Sequence, residues 1–243
     1  MRRIVLGLIF LLVLGVAIAA YTPLGFVLEQ SGLKQNNVGW AKVDGTLRQG
    51  RVSGFFIQNQ PIGDVSLKLR LSSLLSLKPT YDVQWGGAGG RGSGVISVSA
   101  SAVEADQIRA EQHIGALEGL TGPVRAFGGT VRFREGAFRL TREGCTAAAG
   151  RLSTNVLSQL AAEYGRSFSD LAGPVQCAEG RFLVTLNADS EAGDDVEIRA
   201  NASLTGTAAF QMNVKTVDNQ IALALSQYGF QTEGDVWVYR YSQ

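Results

Sequence analysis

The residue types that could perform chemistry are sparse in this chain. His113 is the only histidine among 243 residues, so a Ser-His-Asp or Cys-His site would have to include it. The sequence has no G-x-S-x-G motif, which would place a nucleophilic serine at a strand-to-helix turn. Since a histidine between a strand and a short helix is more typical of the protein surface, we predict that the chain is not an enzyme.

A glycine-rich run at Gly87 to Gly92 matches the pattern G-x-G-x-x-G. In dinucleotide-binding folds a helix follows these glycines, because its N-terminus holds the pyrophosphate. Here residues 95–99 alternate apolar and serine side chains, which is typical of a strand. The run therefore predicts a glycine-rich hairpin, and no cofactor is expected.

Paired carboxylates could indicate a glycosidase or a calcium site. The candidates lie at predicted turns or on polar strand faces, where charged side chains are usually solvated: Glu104, Asp106, Glu191, Asp194, Asp195 and Asp235. The spacing around Asp194 differs from that of an EF-hand loop, so we interpret it as the tip of a hairpin. With a single histidine a zinc site is not expected either.

The N-terminus contains Arg2 and Arg3, followed by a run from Ile4 to Tyr21 without charged or amide side chains. As a helix, the run would be long enough to cross most of a bilayer. Ala17-Ile18-Ala19 fits a signal-peptidase site, so a cleaved signal peptide is one interpretation. We favour an uncleaved anchor oriented by the two arginines, with these side chains in the membrane: Ile4, Leu6, Ile9, Phe10, Leu11, Leu12, Leu14, Val16 and Ile18.

Both interpretations place the remainder of the chain outside the cytoplasm. The two cysteines, Cys145 and Cys177, lie in that part, and an oxidising compartment favours a disulfide between them. Without Arg2 and Arg3 the chain has 20 basic and 21 acidic residues. This balance excludes the basic surface that nucleic-acid binding requires.

Short runs of alternating apolar and polar residues, separated by turn residues, continue from Val38 to the end of the chain. In residues 64–70, for example, Val65, Leu67 and Leu69 share one face. Residues 221–225 fit the same pattern and are predicted as strand, and Glu135-Gly136 is predicted as a turn. We expect about twelve strands, joined mostly by tight turns.

The pattern changes between the cysteines, where Val156, Leu157, Leu160 and Ala161 have helical spacing. We predict a helical insertion at about residues 153–172, capped by Ser153 or Thr154 and ended by Gly165, with a further turn at residues 168–171. The predicted fold is all-β. It is a long antiparallel meander forming a curved, partly rolled sheet with short helical insertions, preceded by one transmembrane helix.

Several motifs together resemble a known family. They are V-D-G-T-L-R-Q-G at residues 43–50, the strand at 64–69 before Leu74-Leu75, Cys145 with Gly150-Arg151-Leu152, and G-P-V-Q-C-A-E-G at 173–180. Their order is similar to that in the protein N family of bacterial type II secretion systems. The similarity extends over nearly the whole chain, and the cysteine pair with its flanking glycines is the most specific part.

The resemblance implies a single-pass protein of the bacterial inner membrane without catalytic residues. Residues 1–3 would be cytoplasmic, 4–21 the anchor, 22–37 a linker, and 38–243 one periplasmic β domain. The expected partners are other secretion components, bound through sheet edges by strand addition, and inner-membrane lipid. The oligomeric state is not specified. The alternative function is a periplasmic carrier of lipid or another hydrophobic ligand, held in a groove on the apolar face of the sheet.

Overall fold

The computed structural model describes residues 21–58, 60–117, 128–163, 165–203 and 207–242, together with Leu14 and Ala17. The described residues include fifteen strands rather than the expected twelve or so, and they confirm the predicted all-β antiparallel meander with short helices. The chain forms two compact units, Met1–Ala100 (unit 1) and Ser101–Gln243 (unit 2). No change in composition marks this division.

The described residues of unit 1 include six antiparallel strands. They are β1 (Val38–Gly39), β2 (Lys42–Gly45), β3 (Gln49–Ile57), β4 (Gln60–Leu69), β5 (Thr80–Gly87) and β6 (Gly90–Val98). β1 and β2 pair with different parts of β3, and β3 to β6 pair in chain order. A 3₁₀-helix, Leu71–Ser76, connects β4 to β5.

The expected linker at residues 22–37 contains helix α1 (Leu24–Gln30) and a 3₁₀-helix, Leu33–Asn36. Helix α1 packs on the edge of the sheet. Leu24 is buried against Gly50 of β3, where a side chain would collide with it, and Gly25 lies against Val43 of β2. The N–H of Leu47 also donates to the carbonyl of Thr22 at 3.0 Å. This segment is therefore part of the packed structure of unit 1.

Unit 2 contains the other nine strands. They are β7 (Val103–His113), β8 (Thr130–Thr141), β9 (Gly144–Thr154), β10 (Leu171–Ala178), β11 (Arg181–Asp189), β12 (Asp195–Ala202), β13 (Ala208–Lys215), β14 (Gln231–Glu233) and β15 (Val236–Ser242). The strands from β7 to β13 pair in chain order, and β15 lies between β13 and β14. Among the described strands, no pairing joins the first strand of this order to the last, so the sheet is not closed.

Two α-helices lie between strands of unit 2, α2 (Val156–Glu163) after β9 and α3 (Asn219–Gln227) after β13, and a short 3₁₀-helix, Ile114–Ala116, follows β7. Helix α2 confirms that a helix lies within the predicted insertion, but it is shorter than predicted because β9 continues to Thr154 and β10 begins at Leu171. The hydroxyl of Thr154 accepts from the N–H of Val156, and Gly165, in the left-handed conformation, ends the helix as expected. The additional turn predicted at residues 168–171 is wrong, since Phe168 bridges Ser190 and Leu171 begins β10.

The strand predicted at residues 221–225 is also wrong, because this segment forms most of helix α3. The carboxylate of Asp218 caps the helix by accepting from the N–H groups of Gln220 and Ile221. Alanine and leucine are strong helix formers, so capping and propensity together outweigh the short alternation. Leu223 is 63% exposed, whereas Leu225 packs on the core, as helical spacing requires.

The turn predicted at Glu135-Gly136 is wrong as well, since both residues lie inside strand β8. Glu135 has a φ of 53°, and the pairing of β8 with β9 shifts register between Arg134 and Ala137. This is a β-bulge, in which an extra residue bends the strand without reversing it. The ring of Phe133 occupies the space beside Gly136 that a side chain would fill.

The core of unit 2 lies between one face of its sheet and the two helices. Leu171, Leu186, Ala188, Val196 and Val214 are buried together there. Partly buried residues from α2, α3 and their flanking segments cover them, among them Val156, Leu157, Phe168, Leu225 and Phe230. Side chains of the helices and their flanking segments therefore cover this apolar face of the sheet.

Candidate interaction surface

The residues that the sequence offered as catalytic or ligand-binding candidates lie in strands and turns. His113 is exposed, and its Nδ1 lies 3.3 Å from the hydroxyl of Thr130, whose side chain is buried. A hydroxyl buried in this way is poorly placed to attack a substrate. The glycine-rich run forms the predicted hairpin, in which Ala88 and Gly89 have positive φ values between β5 and β6. That turn leads into a strand, so it lacks the helix that a dinucleotide site requires.

Three of the candidate carboxylates, Glu104, Asp194 and Asp235, form ion pairs or hydrogen bonds with neighbouring side chains. Asp194 is 1% exposed at the tip of the β11–β12 hairpin, and its oxygens accept from the hydroxyls of Ser190 at 3.0 Å and Thr216 at 2.7 Å. Asp235 pairs with Lys215 at 2.9 Å, and this hydrogen bond lowers the pKa of its carboxyl. In the described part of the chain, no three potential metal-binding side chains are grouped closely enough to hold a metal ion.

The structure joins Cys145 and Cys177 in a disulfide with Cα atoms 5.8 Å apart, within the usual range. The pairing of β9 with β10 extends from Thr154–Leu171 only to Arg151–Pro174. Beyond Pro174 the disulfide connects the two strands, and the N–H of Cys145 donates to the carbonyl of Gly180 at 3.0 Å. The disulfide therefore holds β9 and β10 together beyond the point where their regular pairing ends.

At the opposite end of β9 and β10, an ion pair connects the segment after α2 to the start of α3. Arg166, which follows α2, forms an ion pair with Asp218, the residue that caps α3. Asp218 therefore fixes the start of one helix and its position beside the other. These contacts keep α2 and α3 over the core of unit 2.

The last strand of unit 2 presents an edge for binding. β15 pairs with β13 from Trp237 to Ser242, but on its other side β14 pairs only with Val236 to Val238. Residues 236 and 233 flank the two-residue turn at Gly234-Asp235, so they form a hydrogen-bonded pair. By alternation, the backbone N–H and C=O of Arg240 point to the same side of β15, beyond the end of β14.

Aromatic rings follow this edge on the opposite side from the Arg240 side chain. Phe210 contacts Tyr239 and Tyr241 at centroid distances of 5.9 and 5.5 Å, and Phe230 contacts Tyr239 at 5.4 Å. Tyr241 is 44% exposed. An additional strand could therefore pair with the backbone of β15 and place an apolar side chain beside these rings.

The ion pair between Arg240 and Glu233 lies on the other face of β15. Two parallel hydrogen bonds of 2.6 and 2.9 Å connect the guanidinium to the carboxylate. The bond from Arg240 lowers the pKa of Glu233. Charged side chains and a short outermost strand such as β14 are features that limit nonspecific pairing at sheet edges. The edge of β15 therefore has features that oppose aggregation.

The first strands of unit 1 form a more protected edge. β2 is covered by α1, and Lys42 and Asp44 pair across its surface at 2.9 Å. β1 has only two residues, and the ring of Phe56 packs on Gly39. A further strand would have to displace these contacts.

The expected anchor and topology residues lie outside the described residues, except Leu14, which is helical and 43% exposed. In the portion of the chain that the structure describes, none of the helices has the length and apolar character needed to span a bilayer.

A family model for type II secretion system (T2SS), protein N, matches residues 36–238. The chain belongs to this protein N family. The match begins just before β1 and ends within β15, so it includes strands of both units and the disulfide. Comparisons with curated proteins and with solved structures gave no significant match.

Among the features of this protein N chain, the cysteine pair was predicted from the sequence, whereas the edge of β15 was not. The run V-W-V-Y-R-Y at residues 236–241 indicates a strand rich in β-forming residues. It does not indicate that β14 stops opposite Val238, because that depends on how the preceding helix joins the sheet.

Proposed function

We propose that this protein is a non-enzymatic accessory subunit of the type II secretion machinery. Its N-terminal segment holds it in the inner membrane, and its two β-rich units bind other components in the periplasm. The family match over residues 36–238 carries the proposal. The structural contacts of His113, Asp194 and Asp235 support the absence of a catalytic step.

The proposed binding mode is strand addition along β15. A partner segment would accept from the N–H of Arg240 and extend the sheet of unit 2, with the rings of Tyr239 and Tyr241 contacting its side chains. Main-chain hydrogen bonds would provide affinity, and the aromatic row would select apolar side chains at alternate positions of the partner.

The test uses two substitutions of the same residue. Arg240→Pro removes the outward N–H but none of the backbone hydrogen bonds to β13, and proline is tolerated at sheet edges. Both substitutions remove the side-chain contact of Arg240 with Gln211, so this loss is matched. Arg240→Ala removes the ion pair with Glu233 but retains the N–H. We expect Arg240→Pro to lose co-isolation with other secretion components from detergent-solubilised membranes and to reduce secretion, while Arg240→Ala preserves both.

Equal behaviour of the two variants, with both as stable as the wild-type chain in thermal unfolding, would exclude strand addition at β15. A second result would contradict the accessory function as a whole. If deletion of the gene leaves secretion normal and no secretion component co-isolates with the wild-type chain, the accessory function itself is wrong.

The alternative of a hydrophobic-ligand carrier requires a continuous empty groove on the apolar face. In unit 2, residues of α2 and α3 pack on that face beside Leu171 and Val214. This packing favours the interaction subunit. Native mass spectrometry of the full chain released from detergent would reveal a retained lipid if a groove existed.

A further inference from the structure

The connection between β4 and β5 in unit 1 exposes an unusual group of leucines. Leu75 and Leu77 are 86% and 88% exposed, and Leu71 is 47% exposed. These residues belong to the 3₁₀-helix Leu71–Ser76 and the residue that follows it. We call residues 71–77 the leucine turn. Single exposed leucines are common, but three within seven residues form an apolar projection that indicates a binding surface.

The backbone of the leucine turn is satisfied by its own serines and neighbours. The hydroxyl of Ser73 donates to the carbonyl of Arg70 at 2.6 Å and accepts from the N–H of Thr80 at 2.9 Å. Ser76 donates to the carbonyl of Ser73 at 2.8 Å, and the N–H of Leu77 donates to the carbonyl of Leu74 at 3.1 Å. A turn with internally paired polar groups enters an apolar environment at lower cost.

The leucine turn lies at the end of unit 1 where the N-terminal segment joins the sheet. The N–H of Leu47 donates to the carbonyl of Thr22, and that of Leu69 donates to the carbonyl of Arg48 at 2.9 Å. Leu69 is the last residue of β4, and the leucine turn begins two residues later. Thr22 therefore lies at the same sheet end as the turn.

Thr22 directly follows the apolar run Ile4 to Tyr21. A chain that leaves a bilayer at Tyr21 must place this end of unit 1 next to the lipid headgroups. We propose that the leucine turn inserts Leu71, Leu75 and Leu77 into the interface of the membrane that holds the N-terminal segment. The inference rests on the anchor in the proposed function and adds a second membrane contact to it.

The charged residues around the leucine turn fit this location. Arg48 and Lys68 are exposed at the same sheet end, and Lys78 follows the turn. The nearby Asp82 is paired with Arg70, whose Nη2 lies 2.6 Å from its carboxylate. The local excess of basic side chains suits lipid phosphate groups, and long basic side chains can reach headgroups while their stems cover apolar surface.

The test places an environment-sensitive fluorophore on single cysteines of the full chain in vesicles of phosphatidylethanolamine with phosphatidylglycerol. The variants are Leu75→Cys and Leu77→Cys, and the control is Ile57→Cys. Ile57 is also exposed and apolar but ends β3, roughly 25 Å from its start at a rise of about 3.3 Å per residue. Labelling without reductant leaves the disulfide intact, and the wild-type chain reports any reaction of Cys145 or Cys177.

We expect a blue-shifted emission at positions 75 and 77, with quenching by lipids that carry a nitroxide near the headgroup several-fold greater than at position 57. Equal, water-like emission at all three positions in a membrane-integrated protein would overturn the leucine contact while leaving the secretion function intact. A blue shift that requires added secretion components would also overturn it, because a protein would then cover the turn. Release of the chain by alkaline extraction would overturn both the anchor and this contact.

Discussion

Gly173 of β10 is a position at which a single methyl group has almost no room. A Cβ there would collide with the carbonyl oxygen of Thr185 and lie 3.2 Å from the Cα of Leu186. Both obstacles belong to the backbone of the neighbouring strand β11, so a side chain cannot relieve the contact by changing rotamer. The glycine is therefore required for the close approach of the two strands.

We expect Gly173→Ala to lower the free energy of unfolding by about 1–3 kcal/mol, the usual effect of overpacking. Gly86→Ala in β5 is the matched control, because no atom lies within 4 Å of the place that its Cβ would occupy. Its effect should remain within about 0.5 kcal/mol. Urea unfolding of the full chain in mild detergent measures both values, and equal losses would contradict the close approach of β10 and β11.

The disulfide between Cys145 and Cys177 also contributes to the stability of the folded chain. Cys145 is buried, and the disulfide joins β9 to β10 beyond their last paired residues. The cross-link restricts the unfolded chain, and the loop-entropy estimate for its length is ~3–4 kcal/mol. We expect Cys145→Ser to lose about this amount, and reductant to have the same effect on the wild-type chain.

Reductant should not destabilise Cys145→Ser further, which separates loss of the bond from other effects of the reagent. Because Cys145 is buried, free thiols must be titrated in denaturant. Modification of both cysteines in unreduced, denatured wild-type protein would show that the disulfide is absent.

At the scale of elements, helix α3 shows how capping determines structure. Asp218 supplies the cap and also pairs with Arg166. The helix therefore packs over the core of unit 2 with Leu225 on the inside and Leu223 outside. A strand at residues 221–225 would instead place these two leucines on the same face.

The two arrangements predict different effects of alanine substitutions. In the helix, Leu225→Ala should cost about 2 kcal/mol because it leaves a cavity on the core, whereas Leu223→Ala should stay within about 0.5 kcal/mol. Thermal unfolding compares them directly. Similar losses for both variants would favour the strand and contradict the structure.

At the scale of the whole molecule, surface ion pairs make stability depend on pH. Hydrogen bonds from basic partners lower the pKa of four exposed carboxyls below their ordinary values: Asp64 by Arg51, Asp82 by Arg70, Glu233 by Arg240 and Asp235 by Lys215. Such groups stabilise the folded state above their unfolded pKa of about 4, and the contribution is lost as the pH falls through the folded pKa.

We therefore expect the thermal midpoint to fall as the pH decreases below about 4 and to change little near neutral pH. The decrease should be modest, because water and salt screen exposed pairs. Asp82→Asn should reduce the acid-induced decrease, and high salt should weaken the difference between this variant and the wild-type chain. An identical acid response in both proteins would show that the Arg70–Asp82 pair does not contribute.

Alternation of apolar and polar residues was sufficient to predict most strands and the antiparallel meander, because one face of each strand must be buried. The two cysteines similarly predicted a disulfide without knowledge of the fold, since each had only one possible partner. Two local predictions failed for different reasons. At residues 221–225 the alternation was outweighed by another local signal, the helix cap at Asp218, whereas the continuity of β8 at Glu135 depends on its bulged pairing with β9.

The candidate surfaces depend on positions that no local pattern specifies. The edge of β15 exists because β14 stops opposite Val238, and the leucine turn lies at the same sheet end as Thr22 because Thr22 and Leu69 bond to neighbouring residues, Leu47 and Arg48. Both are consequences of which strands pair and where their ladders end, and such pairing joins residues far apart in the chain. Composition and periodicity indicate which side chains tend to be buried. Only the assembled strands determine which groups remain accessible to a partner.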